Sequence, residues 1–224
     1  MDGAIILGGK KVIVPGVRVA TWHDHGMTFD LEHAPSREEA IRWLVLHWTA
    51  SERRGEAGAA KIHNTLTSRG LSVDFAITNE GDLWQFVDPL ERRCRHASRA
   101  NPYSIGVEVS AVGWVRPGRE LTGDTAQRER YRATIHGWST ELLDYLEPQH
   151  RAVAGLADAL VEGAGLEPRV EMAPYTRRSR RYLEAHGGVM GHLHCAAWVK
   201  HPKIDPGPRP LQRLAAHFEE RRAA

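Results

Sequence analysis

Residues 43–49 read Trp43-Leu44-Val45-Leu46-His47-Trp48-Thr49. Apolar side chains fill both alternating faces of this run, which in a strand means burial on both sides, as at the centre of a sheet. A polar imidazole, His47, interrupts the run near its end. Downstream, Ser104-Ile105-Gly106-Val107-Glu108-Val109-Ser110 alternates cleanly, so Ile105, Val107 and Val109 share one face and Gly106, Glu108 and Ser110 the other. Glu108 is thereby turned away from the apolar side.

Working outward, Val73 to Ile77 reads as a further strand, with Leu83 to Val87 returning as its hairpin partner after the turn Asn79-Glu80-Gly81-Asp82. Gly188 to His192 reads as a short strand entering a loop. Ile5 to Leu7 and Val12 to Val14 flank Gly8-Gly9, whose tolerance of positive φ suits a tight hairpin. A helix is predicted from Ala59 to Ser68, closed by Gly70. The longest starts at Pro148, carries Val153, Leu156, Ala157, Leu160 and Val161 at helical spacing, and stops at Gly163-Ala164-Gly165. Pro210 to Arg222 forms a third, amphipathic helix. Interleaved strands and helices predict a mixed α/β fold, a central mixed β-sheet flanked by helices. We expect one domain over residues 1–224, with an N-terminal hairpin and loop extension over 1–41 and a loop-rich insertion over 111–147.

The composition is that of an ordinary globular protein: 42% hydrophobic and 26% charged residues exclude a disordered or fibrous chain. Thirty basic residues against twenty-eight acidic leave a net charge of +2, which argues against a nucleic-acid partner. The basic runs at Arg177 to Arg181 and Arg221-Arg222 read as solvated faces. Two cysteines, Cys94 and Cys195, do not make a disulfide scaffold, and reduced thiols are expected. The sequence has neither a signal-peptide pattern at its start nor an apolar run long enough for a transmembrane segment. The expectation is cytoplasmic synthesis as a soluble monomer, with release by a pore or lysis if the substrate lies outside. Thirteen histidines are the compositional outlier and direct attention to metal or proton-transfer chemistry.

Two imidazoles and one carboxylate, His47, His192 and Asp205, would leave a zinc ion an open fourth position for water, the arrangement of a hydrolytic site. No HExxH pair occurs, which disfavours a thermolysin-like protease. The plainer alternative, a core histidine and a loop histidine, is left open by spacing alone. In an extended Lys203-Ile204-Asp205, Lys203 and Asp205 point to one side, which puts an ammonium beside a metal-binding carboxylate. Such a charge could stabilise the oxyanion formed when water attacks an amide; the alternative is a surface lysine.

Gly191-His192 followed by Lys203-Ile204-Asp205-Pro206-Gly207-Pro208 resembles the C-terminal signature of type 2 N-acetylmuramoyl-L-alanine amidases, relatives of the peptidoglycan recognition proteins. The strand ending in His47 resembles their first ligand motif, His96-Ala97 a further His-Ala motif, and Asn101-Pro102-Tyr103-Ser104-Ile105-Gly106-Val107-Glu108 their N-x-x-S-I-G-I-E strand. The resemblance implies an amidase cleaving the bond between N-acetylmuramic acid and L-alanine in peptidoglycan. It implies Zn2+ on His47, His192 and Asp205, Glu108 and Lys203 as catalytic residues, and His96 and Asn101 as contacts to the muramoyl-peptide. A phage or prophage endolysin is the expected role; a cytoplasmic recycling amidase acting on anhydro-muramyl peptides and a non-catalytic binding module are the alternatives. The stretch from His192 to Lys203 is longer than the usual family spacing and adds His194, Cys195 and His201 as rival ligands. The tyrosine some relatives use is replaced within Val73-Asp74-Phe75.

Overall fold

The computed structural model describes residues 2–115, 118, 120–172, 178–195 and 203–223. Strands β1 (Gly3–Leu7), β2 (Lys10–Val14) and β3 (Val19–Thr21) lead into a short helix, α1 (Trp22–His25). Next come β4 (Trp43–Trp48), α2 (Gly55–Thr67), β5 (Phe75–Ile77) and β6 (Leu83–Gln85), then a 3-10 segment over Ser98–Tyr103 and β7 (Ser104–Val109). After α3 (Asp124–Gln127) follow β8 (Arg130–Ile135), β9 (Trp138–Leu143) and α4 (Glu147–Ala164). Then come α5 (Arg180–Ala185), β10 (Gly188–Gly191), α6 (His192–Cys195) and α7 (Pro208–Ala223).

Six strands make one mixed sheet in the order β10-β4-β7-β5-β6-β3, with β5 and β6 antiparallel and the other neighbours parallel. The predicted mixed α/β architecture is thus found, with the Trp43 run inside the sheet between β7 and β10. Its alternation separates two cores. Leu44 and Leu46 join Ile105, Val107 and Val109 under α4 and α7, where Leu156, Leu160, Leu211 and Phe218 are buried. Trp43 and Val45 face the other way, against Met190 and Leu183. His47 falls on this second side, beyond Val45. The helix predicted from Pro148 begins at Glu147 and ends at Gly165, whose φ of 67° places it in the left-handed region used to close helices. The N-terminal hairpin forms as expected, β1 on β2, but residues 1–41 also supply β3 to the edge of the main sheet.

Residues 111–147 differ from the loop-rich expectation: they carry α3 and a six-by-six antiparallel hairpin, β8 on β9. The hairpin is anchored through Arg128, whose side chain is wholly buried. Its guanidinium meets both Glu52 carboxylate oxygens at 2.9 Å, the Asp144 and Ser110 carbonyls at 3.1 and 2.8 Å, and Gln149 Oε1 at 2.9 Å. Removing one partner of such a network leaves the others desolvated and unpaired. Arg128→Leu is therefore expected to cost about 3 kcal/mol of stability, read as a lowered urea midpoint; an unchanged midpoint would show the network to be dispensable.

Candidate metal centre and cleft

Parallel pairing sets the site. The β4–β7 register puts His47 opposite Glu108, and Gly191 of β10 pairs with Leu46, so His192 emerges beside His47. These groups sit at the carboxyl ends of neighbouring parallel strands, the usual place for a ligand site in an open α/β sheet. Asp205 arrives on the segment after α6, where its carbonyl accepts the Leu193 N–H at 3.0 Å.

The three expected ligands converge. His47 Nδ1 lies 3.1 Å from His192 Nδ1, His192 Nδ1 lies 3.0 Å from Asp205 Oδ2, and His47 Nδ1 lies 3.5 Å from Asp205 Oδ2. The edge of a tetrahedron of nitrogen and oxygen donors around zinc is about 3.3–3.5 Å, so the donor set and its spacing fit that ion. His47, His192 and Asp205 are the one such group of metal-holding side chains among the described residues. Burial, followed by repulsion from His192, lowers the His47 pKa to about 4, so the ring stays neutral and its lone pair available at ordinary pH. Burial alone would raise Asp205, but the neighbouring His192 and then His47 outweigh it and hold the carboxyl far below its usual range.

The cluster opens on a cleft that His96, Glu108 and Lys203 also line, together with Ile62 and Leu66 of α2. Glu108 Oε2 is buried without a hydrogen-bond partner among the described residues. Burial, and secondarily the Asp205 charge, push the Glu108 carboxyl up to about 8, partly offset by Lys203. Lys203 is exposed at the rim, and its carbonyl accepts from His136 Nε2, at the tip of the β8–β9 hairpin, at 2.9 Å.

Other expected site residues are placed differently. Asn101 does not line the cleft; its Oδ1 accepts the backbone N–H of His96 at 3.1 Å and of Ala97 at 2.6 Å. His96 lines the cleft but also stands behind His47, its Nδ1 3.0 Å from His47 Nε2. Among the rival ligands, His194 is buried with Nδ1 accepting the Gly191 N–H at 3.2 Å, and Cys195 Sγ lies toward the Gly191 and His192 carbonyls. Neither joins the ligand cluster, while His201 lies outside the described residues. Cys94 and Cys195 are both free and buried. Three residues of the surroundings were not foreseen: Tyr145, whose hydroxyl donates to the His47 carbonyl at 2.9 Å, and Arg53 and Arg69 on the cleft wall. None belongs to a periodic pattern, and only the pairing of distant segments brings them near.

Comparison with known proteins gives the family and the fold. The family described as N-acetylmuramoyl-L-alanine amidase matches residues 37–208, while no curated protein matches the sequence significantly. Among solved structures, the hydrolase AmiA of Staphylococcus aureus superposes with a TM-score of 0.54 at 14% identity, covering 93% of this chain and 86% of that one. Drosophila PGRP-LB gives 0.51 at 13%, with 89% and 94% covered. The Escherichia coli N-acetylmuramyl-L-alanine amidase AmiD gives 0.51 at 22%, with 79% of this chain covered; the match spans 57% of AmiD's length. At these identities the superpositions speak for the fold. The family match extends over most of the sequence, from before His47 to beyond Asp205, and the chain belongs to the N-acetylmuramoyl-L-alanine amidase family.

Proposed function

We propose that this protein is a zinc-dependent hydrolase that cleaves the amide between the lactyl group of N-acetylmuramic acid and L-alanine in peptidoglycan. The carrying observation is the convergence of His47, His192 and Asp205 at the floor of a cleft that Glu108 and Lys203 also line. Zinc, when bound there, supplies Lewis acidity and brings the pKa of a water toward neutrality. Glu108 supplies the proton relay: with the ion's charge beside it, the carboxyl that burial raises in the metal-free protein would ionise near neutrality, and Oε2, unpaired among the described residues, would take a proton from the attacking water and return it to the L-alanine nitrogen as the C–N bond breaks. Lys203 offers its ammonium to the lactyl oxygen as negative charge develops there. We read the biological role as a phage or prophage endolysin, acting as a monomer on the cell wall after release.

Product analysis tests the reaction. Incubation with purified sacculi is expected to release stem peptides with a free L-alanine amino terminus. New termini inside the peptide would make the protein a peptidase, and binding without release would make it a recognition module. Turnover on soluble anhydro-muramyl peptides but not on sacculi would replace the endolysin role by recycling.

Lys203→Met keeps an unbranched stem and removes the charge. Loss of one group that stabilises an oxyanion lowers kcat by ~10²–10³, and we expect that loss here with the zinc content unchanged. A wild-type kcat in the zinc-loaded variant would return Lys203 to the surface.

A further inference from the structure

Behind His47 runs a chain of hydrogen bonds that settles which of its nitrogens is bare. Ser104 Oγ donates its single proton to the Ala100 carbonyl at 2.7 Å. At 3.3 Å from His96 Nε2 the same oxygen can then only accept, so His96 carries its proton on Nε2. Among the described residues the ring nitrogens of His96 meet Ser104 and His47, with no carboxylate there to hold an imidazolium, so the ring carries one proton, on Nε2, and Nδ1 is bare. At 3.0 Å, Nδ1 must accept from His47 Nε2–H. His47 Nδ1 is thereby left with its lone pair toward His192 and Asp205.

The supporting structure is specific. Gly106 lies opposite Val45 in the β4–β7 pairing, and a Cβ there would lie 2.6 Å from His96 Cγ, so the imidazole occupies space that any side chain at 106 would fill. Asn101 holds the His96 and Ala97 amides in place. We infer that His96 is a positioning residue which, held by Ser104 and Asn101 and seated on Gly106, locks His47 in the tautomer that presents Nδ1 to the metal. This inference rests on the zinc reading above for its consequence, but the tautomer itself is a property of the chain. Outer-shell partners of metal-bound histidines are typically worth 10–100-fold in metal affinity.

The experiment combines long-range ¹H–¹⁵N NMR of the zinc-free protein with chelator competition for zinc. In the wild type, His47 should show the Nε2–H pattern; an Nδ1–H pattern would overturn the inference without any variant. His96→Leu should weaken zinc binding about 10–100-fold. His96→Asn keeps an acceptor near the place of Nδ1 and should recover most of that loss. Equal weakening by Leu and Asn would mean that His96 only packs, and undiminished affinity in His96→Leu would also overturn the inference. Should His96→Leu fail to fold, Ser104→Ala serves: it frees the His96 tautomer and should give a mixed His47 pattern, whereas an unmixed Nε2–H pattern counts against the chain. A wild type that binds no zinc defeats the zinc reading instead, and the NMR pattern still decides the tautomer.

Discussion

Replacing Glu108 with glutamine is expected to lower kcat by ~10²–10⁴, the usual worth of a general acid–base group, while leaving zinc bound. Glutamine keeps the shape and hydrogen-bonding reach but cannot take the proton of the attacking water. The ligand set does not include Glu108, so zinc content should match wild type and the loss should fall on kcat rather than KM. In the metal-free protein the same substitution acts on stability in the opposite direction. The folded carboxyl titrates near 8, so between its ordinary value of 4.5 and 8 the folded state keeps a proton that the unfolded chain releases. Stability therefore drains from the wild type as pH rises through that window. Zinc-free Glu108→Gln should lose less, and its melting temperature should fall less than that of wild type between pH 5 and 8. A catalytically normal variant, or parallel pH profiles of the two proteins, would remove Glu108 from the role assigned to it.

Stripping the metal with a chelator is expected to abolish hydrolysis and to lower the melting temperature together. His47 and Asp205 are 2% and 6% exposed and His192 is half-buried, and without an ion their metal-facing atoms are left to face one another. A ligand that binds only the folded state stabilises it by about 4 kcal/mol when present at a thousand times its dissociation constant. One equivalent of zinc should restore activity and melting temperature in parallel, at a stoichiometry of about one ion per chain. An active protein free of metal would end the zinc reading.

Much of this site was legible before the fold was known, because its residues sit where strand periodicity breaks. His47 is a polar group ending a doubly buried strand, and Glu108 belongs to the polar phase of an alternating one. Their facing register across β4 and β7 followed once the strands paired. The hairpin over 130–143 was not legible. Arg130, Arg132 and Thr134 leave one face of a two-stranded ribbon in solvent while Tyr131 and Ala133 are only half-buried on the other, so its hydrophobic period is weak, and its two-residue turn, His136 at φ 52° and Gly137 at φ 83°, has one glycine as its signal. Nor could sequence separate a substrate contact from a ligand's support: His96 and Asn101 lie in neighbouring motifs that both read as substrate contacts, and only the position of His96 behind His47 distinguishes these roles.

The bond from His136 to the Lys203 carbonyl joins groups 67 residues apart, and Ile204 packs beside it with Ile135, Leu142 and Leu193. Asp205 lies 13 residues beyond His192, and bringing together two points of a chain that far apart in sequence costs about 2 kcal/mol of chain entropy. Because the hairpin holds the segment at Lys203 and Ile204, an ion would not have to bring Asp205 in: the proposed third ligand is already beside the other two. With zinc bound as proposed, its affinity would thus be partly a folding property of a ribbon that contributes no ligand.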